Sequence, residues 1–122
     1  MKLLIVDDSK VIRQRIARLT EGHPRLNSIS VVGMAANGVA ALELFEHHKP
    51  DLVTMDLTMP EMDGVQCTGE MAARNPSTLI LVISAISDKA TALRALQQGA
   101  HGFLYKPFTD DQLTGALVEL IS

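Results

Sequence analysis

Leu52–Gly64 reads LVTMDLTMPEMDG: an apolar run of strand length stops on a charge at Asp56, and the chain passes a proline before reaching Asp63 and Gly64. A lone aspartate in such a place is an ordinary solvated cap. The same punctuation recurs along the chain. LLIVDDS (Leu3–Ser9) ends its apolar run on Asp7 and Asp8, LILVISA (Leu79–Ala85) ends on the hydroxyl of Ser84, and GFLYKPF (Gly102–Phe108) ends on Lys106. Continuous rather than alternating apolar runs belong to strands covered on both faces, as in a parallel sheet. Leu3–Val6, Leu52–Met55, Leu79–Ile83 and Phe103–Tyr105 are of this kind, while Ser30–Ala35 alternates in part.

Between these runs lie segments with helical spacing: Ser9–Glu21, Asn37–His48, Val65–Arg74, Asp88–Gln98 and Thr109–Ile121. TDDQ at Thr109–Gln112 has the pattern of a capping box opening the last helix, and Gly99 closes the one before it. Pro50 and Pro76 fall in loops ahead of strands. Five repeats of strand then helix, joined by right-handed crossovers, predict an α/β doubly wound parallel sheet of five strands. In such sheets ligands bind outside the carboxyl ends of the strands, where Asp7, Asp8, Asp56, Ser84 and Lys106 all fall. Four strands deliver polar groups to one rim.

The length of 122 residues fits one domain, 1–122, that buries roughly two thirds of the surface its unfolded chain exposes. The net charge is −3, and Lys and Arg are scattered without a basic stripe, so direct nucleic-acid binding is not expected. Cys67 is the single cysteine, which excludes an internal disulfide and a Cys-based zinc set, and it reads as a small packing residue. The apolar run behind Met1 is too short for a signal peptide or a membrane span, so a cytoplasmic protein without membrane insertion is expected.

Three carboxylates at one rim repel one another and raise at least one pKa unless a cation sits among them. Mg²⁺ suits that set, since it takes oxygen ligands and is held by one or two carboxylates together with phosphate oxygens. A carboxylate beside the ion can act as a nucleophile toward phosphorus and form an acyl phosphate. A lysine on the opposite side can neutralise the phosphoryl oxygens, and the Ser84 hydroxyl can donate a hydrogen bond to one of them.

VDDS (Val6–Ser9), MDLTMPEMDG (Met55–Gly64), ISA (Ile83–Ala85) and KPF (Lys106–Phe108), in this order and spacing, resemble the receiver domains of bacterial two-component response regulators, and the likeness spans the whole chain. Within that family the chain resembles the stand-alone chemotaxis type. The resemblance implies a flavodoxin-like (βα)5 fold with strand order 2-1-3-4-5. It implies Asp56 as phosphoacceptor, Mg²⁺ held by Asp7, Asp8, Asp56 and the backbone carbonyl of Thr58, and Lys106 paired with the phosphoryl group. Ser84 would be the switch hydroxyl with Phe103 as its aromatic partner, and the Lys106–Pro107 peptide would be cis. Tyr105, on the same strand face as Phe103, is a further candidate for reporting to a partner.

In that family the residues two after the phosphoacceptor and two after the switch hydroxyl tune hydrolysis of the acyl phosphate. Here these are Thr58 and Ile86, neither of which orients water as an amide or carboxylate does, so self-dephosphorylation slower than in fast chemotaxis receivers is expected. The implied partners are a sensor histidine kinase or phosphotransfer protein and a downstream protein target. The target is expected on the surface built by 88–98, 103–105 and 109–121. Such a protein is no enzyme beyond catalysing its own phosphorylation and dephosphorylation.

Two rival functions come from other classes. An Asp-nucleophile, Mg²⁺-dependent phosphatase of the haloacid dehalogenase type would carry a second aspartate two residues after the nucleophile, where this chain has Thr58, and would need room for a cap over the substrate. A binding module that has lost phosphorylation would not keep Asp7, Asp8, Asp56, Ser84 and Lys106 together. A receiver cut from a longer regulator with an output domain remains an alternative. His47 and His48 are adjacent and do not share a helix face, and Met55, Met59, Met62 and Met71 read as packing residues. Gly33 and Gly38 complete no dinucleotide fingerprint.

Overall fold

The computed structural model describes residues 1–59, 62–85 and 87–122. Strands β1 (Lys2–Val6), β2 (Ser30–Ala35), β3 (Leu52–Asp56), β4 (Leu79–Ala85) and β5 (Gly102–Lys106) alternate with helices α1 (Lys10–Gly22), α2 (Gly38–His48), α3 (Gly64–Arg74), α4 (Lys89–Gln98) and α5 (Asp110–Ile121). All pairings are parallel, and the order across the sheet is β2-β1-β3-β4-β5. Topology and strand order are those expected from the sequence.

The apolar runs of β1, β3 and β4 look continuous because these strands feed two cores in alternation. Leu4, Val6, Val53, Met55, Ile80 and Val82 pack with Phe45, Cys67 and Met71 on one side, while Leu3, Ile5, Leu52, Leu81 and Ile83 pack with Ile16, Leu113 and Leu117 on the other. Fully buried leucines and isoleucines of this kind contribute about 1.5–3 kcal/mol each. Edge strand β2 is less covered, which is why its pattern alternates.

Helix starts are set by their caps. Ser9, Asn37, Asp63, Asp88 and Thr109 each accept a hydrogen bond from the amide three residues on, satisfying a donor that the first turn leaves free. Thr109 and Gln112 form the expected capping box, with Gln112 N donating to Thr109 Oγ1 at 3.1 Å and Thr109 N to Gln112 Oε1 at 2.9 Å. Gly99 closes α4 at φ 122°, a conformation that disfavours any side chain, and a Cβ there would also lie 2.6 Å from Ala72 Cβ. A 3-10 turn at Pro24–Leu26, not expected from the sequence, seats the buried Leu26 under the α1–β2 connection. Among the described residues no helix is long and apolar enough to cross a membrane.

Candidate functional site

β1 and β3 lie side by side in register, so the residues that end them come together at one rim. Asp7 follows the last residue of β1, and Asp56 is the last of β3; both side chains are buried, and Asp8 is exposed beside them. One oxygen from each of Asp7, Asp8 and Asp56 lies within 4.8 Å of the others. Lys106, ending β5, brings its Nζ to 3.0 Å from Asp7 Oδ2 and 3.6 Å from Asp56 Oδ1. The Lys106–Pro107 peptide is cis, as the resemblance implied.

The backbone locks both buried aspartates. Asp7 N donates to Ala35 O at 3.0 Å, Ser9 N donates to Asp7 Oδ1 at 2.9 Å, and Arg13 Nη1 reaches back from α1 to the Asp7 carbonyl at 2.7 Å. Asp56 Oδ1 accepts from both the amide and the hydroxyl of Thr58, each at 3.1 Å. Its other oxygen, Oδ2, is buried with no hydrogen-bond partner among the described residues. Asp7 Oδ2 meets Lys106 as an ion pair without a hydrogen bond of good alignment.

Gly64 lets the start of α3 approach this strand end. A Cβ on it would lie 2.6 Å from Leu57 Cα and would also press on the Asp56 carbonyl.

Burial is the main influence raising the Asp56 carboxyl above its ordinary value. The Thr58 amide opposes the rise, the Asp7 charge adds to it, and Lys106 and the Thr58 hydroxyl oppose it more weakly. Three carboxylates that each bring an oxygen within 4.8 Å of the others are an arrangement that a hard cation satisfies. The donor set is all oxygen, which suits Mg²⁺ and not a soft metal.

The structure thus gathers Asp7, Asp8, Asp56 and Lys106. Ser84 is buried at the end of β4, but its Oγ donates weakly to the carbonyls of Ala85 and Asp88, both at 3.4 Å. Phe103 stands outward, 44 % exposed, with its ring centroid 5.2 Å from that of Tyr105. Ile86 lies outside the described residues, as do Pro60 and Glu61. Arg13, Arg15 and Gly64 were not singled out from the sequence. Gly64 had a signal, since a glycine directly after an acidic helix cap marks close backbone approach. The two arginines had none, because each reaches a backbone carbonyl, that of Asp7 or of Phe108, which only the folded position of α1 brings within range.

Residues 3–118 match the family described as response regulator receiver domain. The chain belongs to the receiver domain family. It is 37 % identical over 117 residues to the chemotaxis protein CheY of Listeria monocytogenes, covering 96 % of this chain and 95 % of that protein. Among solved structures it is similar to the signal receiver domain of the response regulator NarL from Mycobacterium tuberculosis, with a TM-score of 0.86, 36 % identity, and coverage of 97 % and 93 %. It is also similar to a chain of the CheX–CheY complex with BeF3 and Mg²⁺ from Borrelia burgdorferi, with a TM-score of 0.87 and 25 % identity, covering 100 % of this chain and 90 % of that one. As a receiver domain the protein is a phosphoacceptor module of two-component signalling.

Proposed function

We propose that residues 1–122 act as one receiver domain in which Asp56 is the phosphoacceptor. The observation that carries this is Asp56 Oδ2, buried without a partner among the described residues and beside two further carboxylates, while Thr58 holds Oδ1. Oδ2 is therefore the oxygen free to attack. It forms the new bond to phosphorus as the donor's P–N or P–O bond breaks, and the leaving histidine nitrogen or acyl oxygen keeps the electron pair. Lys106 faces the incoming group and neutralises its oxygens.

Asp7, Asp8, Asp56 and the Thr58 carbonyl would hold Mg²⁺. When bound, the ion supplies charge neutralisation at the phosphoryl oxygens. Asp7 is presented to it by Ser9 N–H and by Arg13.

Phosphorylation then shifts an equilibrium between two states of the β4–α4 and β5 region. Ser84 exchanges its two weak bonds to Ala85 and Asp88 for one to the phosphoryl group, and the exposed Phe103 turns into the space beside it. The surface that reads this out is 88–98, 103–105 and 109–121. It exposes Leu93 (56 %) and Phe103, and Leu96, Phe103 and Leu120 of this surface border a groove of ≈ 510 Å³ that Leu79 and His101 complete from outside it. The kinase-side partner is a sensor histidine kinase or phosphotransfer protein, the target is a protein, and the place of action is the cytoplasm. Apart from its own phosphorylation and dephosphorylation the domain catalyses nothing.

Thr58 has its hydroxyl engaged with Asp56 and cannot orient a water as an amide does, which supports slower loss of phosphate than in fast chemotaxis receivers. The test is incubation with acetyl phosphate. Wild type should take up phosphate only with Mg²⁺, and Asp56→Asn should take up none; equal labelling of the variant would place the acceptor elsewhere.

A further inference from the structure

We propose that Arg15 is a positioning residue for Lys106, an inference that rests on the phosphoacceptor reading of the site. Lys106 has to face Asp7 and Asp56 from β5, an edge strand separated from β1 by β3 and β4 and hydrogen-bonded on one side only, to β4. The sheet alone is a long route for fixing a lysine against β1. Arg15 spans the gap directly from α1, the helix that follows β1.

Its guanidinium makes several contacts, all to the segment just beyond Lys106. Nη2 donates to the Phe108 carbonyl at 2.8 Å, Nε donates to Asp110 Oδ1 at 2.9 Å, and the guanidinium carbon lies 4.6 Å from the centroid of the Phe108 ring. Phe108 is two residues from Lys106 and is buried among Ile16, Leu113 and Leu117. Asp110 is 62 % exposed, and an ion pair so open to water contributes little by itself. What remains is the hold on Phe108 from two directions, through its carbonyl and through its ring. A planar fork with a delocalised charge suits both contacts, whereas an ammonium suits neither as well.

Neighbouring Arg13 makes a matching contact on the other half of the site, donating to the Asp7 carbonyl. One helix thus grips the backbone of the aspartate and the segment that carries the lysine. Phosphoryl transfer depends mainly on placing charge correctly, so a small displacement of Lys106 is expected to show as weaker binding of a phosphoryl mimic.

The experiment compares wild type, Arg15→Met, Arg15→Lys and Asp110→Ala, and repeats Arg15→Met in a Lys106→Met background. BeF3 affinity at fixed Mg²⁺ is read from amide chemical shifts, and the Lys106 side-chain carbon signals are read in the ligand-free protein. Arg15→Met should weaken BeF3 binding by ~threefold or more, with Arg15→Lys between it and wild type and Asp110→Ala close to wild type. The effect should vanish in the Lys106→Met background, and the Lys106 signals should move in Arg15→Met but not in Asp110→Ala. An equal loss without Lys106, or an equal loss in Asp110→Ala, would overturn the proposal and leave Arg15 a stabilising surface contact. Should Arg15→Met not fold, Arg15→Lys decides the question on the same readouts. If wild type itself takes no BeF3, the phosphoacceptor reading fails, and the Lys106 signals decide the role of Arg15 separately.

Discussion

Asp56→Asn should make the protein more stable when Mg²⁺ is absent and less responsive to Mg²⁺ when it is added. At an effective dielectric constant of 20, repulsion from Asp7 within 4.8 Å costs ionised Asp56 at least about 3.5 kcal/mol, and attraction to Lys106 at 3.6 Å returns about 4.6 kcal/mol. These nearly cancel. Thr58 keeps its hydrogen bonds to Oδ1 in either side chain, so the remaining difference is the burial of a charge whose Oδ2 has no donor among the described residues. Removing it should stabilise by about 1–2 kcal/mol, in line with the replacement of poorly compensated buried charges by neutral groups.

The pH dependence has a definite sign. Burial raises the Asp56 carboxyl above its ordinary 3.8, so the folded state binds the proton more tightly than the unfolded chain does. Wild-type stability therefore falls as pH rises from the ordinary value through the raised one, and the advantage of Asp56→Asn is full above that interval. Saturating Mg²⁺ reverses the ranking, since a ligand at 100 times its Kd adds about 2.7 kcal/mol to the form that binds it. Urea denaturation of both proteins at neutral pH, with and without Mg²⁺, measures all of this. An Asp56→Asn protein less stable than wild type in the absence of Mg²⁺ would refute the reasoning.

Gly64→Ala should destabilise the fold and impair phosphorylation together, because the new Cβ meets the backbone of Asp56 and Leu57 and not a movable side chain; thermal melting and acetyl phosphate labelling check it. Cys67, fully buried and with its thiol pushed up to about 12 chiefly by that burial, should resist alkylation at pH 8 in the native protein and react once urea unfolds it. Asp88→Ala should lower the melting temperature at neutral pH by removing the α4 cap. The Asp88 carboxyl is held below its ordinary value, chiefly by the Thr91 side chain, so its contribution is present above that ordinary value and disappears as pH falls through the lowered one. The gap between variant and wild type should close in acid.

Asp7, Asp8, Asp56 and Lys106 were legible because chain order carried the information: each ends or follows a continuous apolar run, and a parallel sheet aligns such ends. The strand order was legible only through family resemblance, since spacing alone does not rank crossovers. Ser84 was legible as a position but not as an orientation. Its hydroxyl turns to the Ala85 and Asp88 carbonyls, which spacing along the chain does not reveal. The reach of Arg13 to Asp7 and of Arg15 to Phe108 was invisible, because on a helix of mixed apolar and basic residues an arginine reads as a solvated surface group until the partner's position is known. Helix starts shifted by one residue at Ser9, Asn37, Asp88 and Thr109 because these cap their helices from outside the first turn.

Borohydride trapping of the phosphorylated protein tests the role of Asp56 most directly, since reduction of an aspartyl phosphate leaves homoserine at the acceptor and peptide mass mapping finds it. After acetyl phosphate and Mg²⁺, homoserine is expected at position 56 alone and is expected to disappear when Mg²⁺ is chelated beforehand. Homoserine at position 7 or 8, or a phosphorylated protein with none at position 56, would contradict the assignment.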